Sequence, residues 1–390
     1  MEPLSWKRAL TIALMFAGGA ALGAVMANIG LRTLPEGPSV TSLVMLLLAL
    51  PLLYMIIIAA HELGHIVAGL LVDYWPLLFV VGPLRIEWTA EGARASLNRS
   101  FALSGGIAAM APVGLHELRR RTLVMISGGP AASLMFGVQC LALWLATYSF
   151  LMSGDAGPWR RGAAGVLVFL GFGSLLLGII TLVPSRTGGL YSDGARILRL
   201  IRHTSAADEE VALIALTGLS LGGTRPRDWD PVLVARCSNI RDGGAFQATG
   251  QIFAYTHAAD LGELARARPH LEAALAMLSE LPAATRSSLL MHAATFYALF
   301  DGDIVRAAHY YRQGVRYALL NAPHQRVLAD SAIQLAGGNR EIAAEAAGDA
   351  LRLSRRAPDR GAAALDDDYA RSILLNAATP PEPVRSSRLA

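Results

Sequence analysis

The sequence predicts a mainly α protein: a polytopic membrane helix bundle with a small β-hairpin element, followed by a cytoplasmic α-helical domain. Three observations predict it. Hydrophobic residues make up 53% of the 390-residue chain and charged residues 16%, a balance suited to lipid rather than to a wholly water-facing surface. Four apolar stretches, residues 9–31, 42–72, 122–152 and 163–183, are long enough for a hydrocarbon layer about 30 Å thick. From about Ser205 the composition shifts to alanine-rich segments carrying Arg and Glu at helical spacing. The expected division is therefore a four-span membrane domain over residues 1–202, a cytoplasmic helical domain over 203–376, and a disordered Pro- and Ser-rich tail over 377–390.

Each element has its own grounds. Lys7 and Arg8 precede the first span, for which a cleaved signal peptide over residues 1–27 is the competing account, although the apolar core is long for one. Pro51 in the second span and Gly128-Gly129-Pro130 in the third are places for kinks. Between these spans, Leu84, Ile86 and Trp88 alternate with Arg85, Glu87 and Thr89, and after Glu91-Gly92 the alternation resumes at Ala93, Ala95 and Leu97. This reads as a hairpin at about residues 79–98. Residues 101–113 are apolar but too short to span, and are expected to lie in the interface or to re-enter the membrane.

Arginines set the orientation. Arg85, Arg94, Arg99 and Arg119-Arg120-Arg121 fill the connection between the second and third spans, and Arg186, Arg196, Arg199 and Arg202 follow the fourth; the opposite connections hold little beyond Arg32, Arg160 and Arg161. Basic residues are retained on the cytoplasmic side, so both termini are expected there, in a multi-pass protein of the cell's inner membrane. The formal charge of +4 is read as topology and not as a nucleic-acid footprint, because residues 203–390 are near balance and slightly acidic. Cys140 and Cys237 have neither the spacing of a disulfide pair nor that of a metal cluster.

In the second half, Gly222-Gly223, Gly243-Gly244, Pro282, Gly302, Pro323 and Gly337-Gly338 punctuate helices of modest length. Segments such as 303–320 suggest tetratricopeptide-like pairs stacked as a solenoid, without a clean repeat. A domain of this kind would bind a cytoplasmic protein partner or gate access to the membrane site. His257, His270, His292, His309 and His324 are too scattered in sequence to argue for metal.

The chemistry is concentrated in His61-Glu62-Leu63-Gly64-His65, at the end of the second span. Residues four apart share one helix face, so both imidazoles can address one cation while Glu62 reaches water bound to it. Solvated histidines on an ordinary helix are the competing account, but ionisable groups in lipid are costly and mark water-filled sites. A catalytic zinc takes three protein ligands. The best third candidate is Asp193, after Pro184, Gly188 and Gly189 have interrupted the chain beyond the fourth span; a surface Asp-Gly turn is the alternative.

These motifs, with Val81-Gly82-Pro83 and Gly129-Pro130-Ala131-Ala132-Ser133, resemble the site-2 protease family of intramembrane zinc metalloproteases over roughly residues 42–200. The resemblance implies one Zn2+ per chain held by His61, His65 and Asp193, with Glu62 as catalytic base hydrolysing a peptide bond in or near a transmembrane segment of a membrane-protein substrate. Ser133 and Thr181 stand where the family often has Asn and are the implied substrate-binding positions. Ile86 joins them if an edge of the hairpin pairs with unwound substrate; a ribbon that only caps the bundle is the other reading. The alternative function is a proteolytically silent, zinc-containing membrane scaffold whose helical domain binds a protein partner. No nucleic-acid partner is expected, and the sequence leaves the oligomeric state open.

Overall fold

The computed structural model describes residues 40–89, 92–98, 105–153, 157–187, 190–202, 204–316 and 322–379. The expected first span, residues 9–31, lies outside the described residues, as does the Pro- and Ser-rich stretch beyond Thr379. The fold is mainly helical with a small four-stranded antiparallel sheet, and it divides into two compact units separated in sequence near residue 203.

The first unit is built on helices α1 (Val40–Leu70), α2 (Leu118–Ala146) and α4 (Pro158–Leu182), with short α3 (Tyr148–Leu151) between the last two and α5 (Asp193–Ile201) after them. Three stretches within these helices, Leu48–Leu70, Leu118–Ala146 and Trp159–Leu182, are long and apolar enough to cross a membrane. Many large apolar side chains point outward, among them Leu52, Met135, Val138, Leu145 and Ile179, a surface that water would penalise. Helices α1 and α2 meet backbone to backbone: a Cβ on Gly64 would sit 2.4 Å from the Gly128 carbonyl oxygen, and one on Gly128 2.3 Å from that of Gly64. Small residues at such a crossing let two helices approach without a side-chain spacer. Pro130 lies inside a continuous α2, and Gly128 just before it serves the close packing on α1.

The sheet runs in the order β3-β2-β1-β4. Strands β2 (Leu84–Thr89) and β3 (Gly92–Leu97) form the expected hairpin, with Ile86 opposite Ala95. Two further strands were not expected. β1 (Tyr74–Val81) pairs with β2, Phe79 opposite Ile86, and on its other side with β4 (Ile107–Pro112), Phe79 opposite Ala108. Within the segment expected to lie in the interface or to re-enter the membrane, Ile107–Pro112 forms an edge strand. The sheet rests on α1 through Phe79 and Val81 against Ile58 and Ile66, with Ile86 packed beside them. Arg121 fastens this assembly. Its buried guanidinium donates to the carbonyls of Val72 at 2.7 Å, Val113 at 3.0 Å and His116 at 3.1 Å, so one cation satisfies the segment entering β1 and the segment leaving β4.

The second unit is a succession of helices: α6 (Ser205–Leu221), α7 (Pro231–Ser238), α8 (Ala245–Asp260), α9 (Leu264–Leu275), α10 (Ala283–Phe300), α11 (Ile304–Val315), α12 (Pro323–Ala336), α13 (Arg340–Ser354) and α14 (Arg360–Ala378). The punctuation read from sequence falls at helix ends. Pro231 and Pro323 occupy first-turn positions, where a missing N–H costs nothing, and α14 continues through Ala378, past the start expected for the tail. Sequential helices pack together, their alanines letting the axes approach: Ala267, Ala293, Ala307, Ala332, Ala343 and Ala347 are all fully buried in one core with Phe296 and Tyr297. Two buried polar centres lie within this unit. Histidines distant in sequence, His292 and His324, converge on the buried Asp366 at 3.7 and 3.1 Å. Asp260 receives Arg225 at 2.6 Å and Arg227 at 3.0 Å. Cys140 in the first unit and Cys237 in the second are both buried free thiols.

Candidate metal centre

Helix α1 sets His61 and His65 one turn apart, and α2 fixes their ring orientation. The Nδ1 of His61 lies 2.9 Å from Oγ of Ser133, itself fully buried. The Nδ1 of His65 lies 3.1 Å from the Met125 carbonyl oxygen. A carbonyl only accepts, so the proton sits on Nδ1 of His65 and the lone pair on Nε2 is left for a ligand. Both rings are buried, with centroids 5.0 Å apart and planes at 85°. Such anchoring of the remote ring nitrogen is the usual support of a metal-binding histidine. Room for His65 comes from Gly129: a Cβ there would stand 2.2 Å from Nε2.

The third group arrives from the start of α5. Ser192 caps this helix, accepting from the amide of Ala195 at 3.3 Å, and the same hydroxyl donates to the Val183 carbonyl at 2.8 Å and accepts from the Ser185 amide at 3.0 Å. One side chain therefore ties the end of α4 to the beginning of α5. Gly194 allows the contact to close, since a Cβ on it would fall 1.8 Å from the Leu182 carbonyl oxygen. With the backbone held there, Oδ2 of Asp193 lies 3.2 Å from Nε2 of His61 and 3.6 Å from Nε2 of His65. Two imidazole nitrogens and one carboxylate oxygen, all within 4.8 Å of one another, form a group that can hold a metal ion. Nitrogen and oxygen donors in this number suit a borderline divalent cation and leave coordination positions open.

Glu62 is half-buried beside this group and within electrostatic range of His61, His65 and Asp193. Its carboxylate receives the backbone amide of Ala108 on β4, and a Cβ on Gly106 would stand 2.7 Å from its Oε1. The sheet thus reaches the site through its edge strand. Ser133 supports the His61 ring. Thr181 bonds back to its own helix, its Oγ1 donating to the Gly178 carbonyl at 3.2 Å. Ile86 stands apart from this centre, on a strand paired along both edges and packed against α1. Sequence reasoning missed Met125, Gly106 and Ala108 as parts of the site, and named Gly129 as a place for a kink and within a motif of the resemblance without its role of making room for His65. Compared with protein-family models, curated proteins and solved structures, the chain matches none of them.

Proposed function

We propose that this protein is an intramembrane zinc metalloprotease of the site-2 protease kind, polytopic in the membrane with both termini in the cytoplasm. One observation carries the proposal: two imidazole nitrogens, each held by its remote ring atom, and one carboxylate oxygen converge beside Glu62 on a helix apolar enough to lie in lipid. An arrangement so costly in a membrane has a task.

Zinc held by His61, His65 and Asp193 would supply Lewis acidity toward water and toward a substrate carbonyl. Glu62 takes the proton from the attacking water and returns it to the leaving amine. Its half-buried position, served by the Ala108 amide, keeps the carboxylate aimed while leaving it accessible. The substrate must be extended to be cut. Since β2 has partners on both sides, the strand addition expected at Ile86 transfers to β4, whose outer edge lies next to Glu62. The second unit, with its sequentially packed helices, serves in this reading as a tetratricopeptide-like solenoid that recruits a cytoplasmic protein.

The second reading is the silent scaffold, favoured by the two hydroxyls at the implied substrate positions: Ser133 is engaged with His61 and Thr181 with Gly178. Glu62→Gln separates the two. Under the protease reading, purified Glu62→Gln keeps one zinc per chain by elemental analysis, while terminal-peptide profiling of membranes loses the fragments that the wild type generates. Identical fragments from both forms would leave the scaffold.

A further inference from the structure

The second unit contains a basic groove that the metal centre does not use. It lies between α10, α11 and the turn Leu278–Glu280, with a volume of about 460 Å³, in the range of natural ligand sites. Its floor is apolar, made by Leu278 and the buried Leu290. Its walls carry Arg286, Arg312 and Arg316 together with His309, and no Asp or Glu is among the described residues that line it.

The packing builds this groove. A Cβ on Gly314 would meet the Met291 Cε at 2.1 Å, and Ser287 Oγ donates to the Gly314 carbonyl at 3.0 Å, so α11 lies close on α10 at this level. Arg286 is braced, its Nη2 donating to the carbonyls of Ser279 at 3.2 Å and Leu281 at 3.0 Å. Gln313 bonds His309 at 2.8 Å. Arg312 on α11 and Arg316 at its C-cap are exposed and have no acidic partner among the described residues. Two exposed guanidinium groups side by side at the rim, Arg312 and Arg316, repel each other unless an anion enters, a cost that folds accept at binding surfaces.

The ligand must answer both surfaces. A bare anion gains nothing from Leu278 and Leu290, and an apolar ligand leaves the arginines unmet. The rim residues Ser279, His309, Arg312 and Arg316 are exposed, so a longer chain can pass across the opening. We propose that this groove binds an acidic peptide segment of a protein partner, with an apolar side chain on the leucine floor and carboxylates on Arg286, Arg312 and Arg316. Planar guanidinium forks match carboxylates two bonds at a time. The proposal names the partner-binding surface of the recruiting role given above to the helical unit. It is independent of the metal: loss of peptide binding leaves the zinc content and the Glu62→Gln comparison unchanged.

The experiment uses the full chain in detergent on an array of hexapeptides that combine Asp or Glu with Leu or Phe, beside counterparts carrying Asn or Gln at the acidic positions. The acidic peptides should be retained, and their neutral counterparts should bind at least about tenfold more weakly. Raising the salt should weaken retention, and the Arg312→Ala, Arg316→Ala double variant should lose about tenfold or more, with Lys at both positions recovering part. Both side chains are exposed, so folding is spared, and the neutral peptides give a comparison needing no variant. Equal retention of neutral and acidic peptides, unchanged binding by the double variant, displacement by inorganic phosphate at the peptide's own concentration, or no retained peptide at all would each overturn the proposal.

Discussion

At Gly194, a single hydrogen in place of a methyl group decides where a carboxylate can stand. The Leu182 carbonyl occupies the space a Cβ would need, so Gly194→Ala must push the start of α5 away from α4 and carry Asp193 off His61 and His65. Metal titration of this variant should show affinity reduced at least about tenfold, with the helical content unchanged in circular dichroism. Ser133→Ala tests the support of His61 in the opposite way, removing a partner without adding bulk. Its metal affinity should fall by about 10- to 100-fold, and Ser133→Thr, which retains the hydroxyl, should recover part of that loss. Wild-type affinity in Ser133→Ala would show that α1 packing alone orients the ring.

Strand position governs the next scale. Proline at Ile86 would break a strand bonded on both sides and would unsettle the whole sheet, so its effect on cleavage would carry no information about substrate. β4 offers the sharper test. β4 has β1 on one side only, and the Ala108 amide reaches Glu62; on the two-residue period of a strand the Met110 N–H is expected on that same side. Met110→Pro should abolish cleavage of a model transmembrane substrate with zinc retained, whereas Met110→Ala, which keeps the amide, should leave most of it; equal activity of the two would dismiss strand addition at this edge. The sequence revealed the hairpin because β2 alternates between apolar and charged residues. It concealed β1 and β4. Tyr74 to Val81 is a nearly continuous apolar run that lies between two neighbours and on a helix, so alternation never appears, and Pro76 sits where its register shifts. The helix ends of the second unit were legible because Gly and Pro act locally. The meeting of His292 and His324 at Asp366 was not, because it depends on how separate helices pack.

The molecule as a whole depends on buried charge in each of its two units, with different purposes. In the second unit, Asp260 is tied by Arg225 and Arg227. Burial raises its carboxyl, but the hydrogen bonds from both arginines outweigh that and hold it below the ordinary value. A depressed carboxylate stabilises the fold above the unfolded value of about 3.9 and ceases to do so as pH falls through the folded one. Hydrogen exchange of the segment from Arg225 to Asp260 should therefore accelerate in acid and remain slow at neutral pH. Asp260→Asn should cost about 3 kcal/mol at neutral pH, because the arginines lose their buried carboxylate partner and keep only the more exposed Asp368, and should remove most of the acid sensitivity; a melting temperature equal to that of the wild type would place the stability elsewhere. The histidine pair was legible at this scale from its four-residue spacing alone, while Asp193, far downstream, could be named only as a candidate until the Ser192 cap and the α4–α5 junction brought it into range.

The two buried thiols have a practical corollary. Cys140 is shielded, and burial, with a further contribution from Glu209, pushes the Cys237 thiol up to about 12, where almost no thiolate exists at neutral pH. The native protein is therefore silent toward impermeant maleimides, so one cysteine introduced at a time becomes a clean reporter of sidedness in intact cells. A cysteine replacing Gly114 should stay unlabelled until the bilayer is permeabilised, and one replacing Ser153 should react from outside. The reverse pattern would turn the bundle over and move the helical unit to the other face of the membrane.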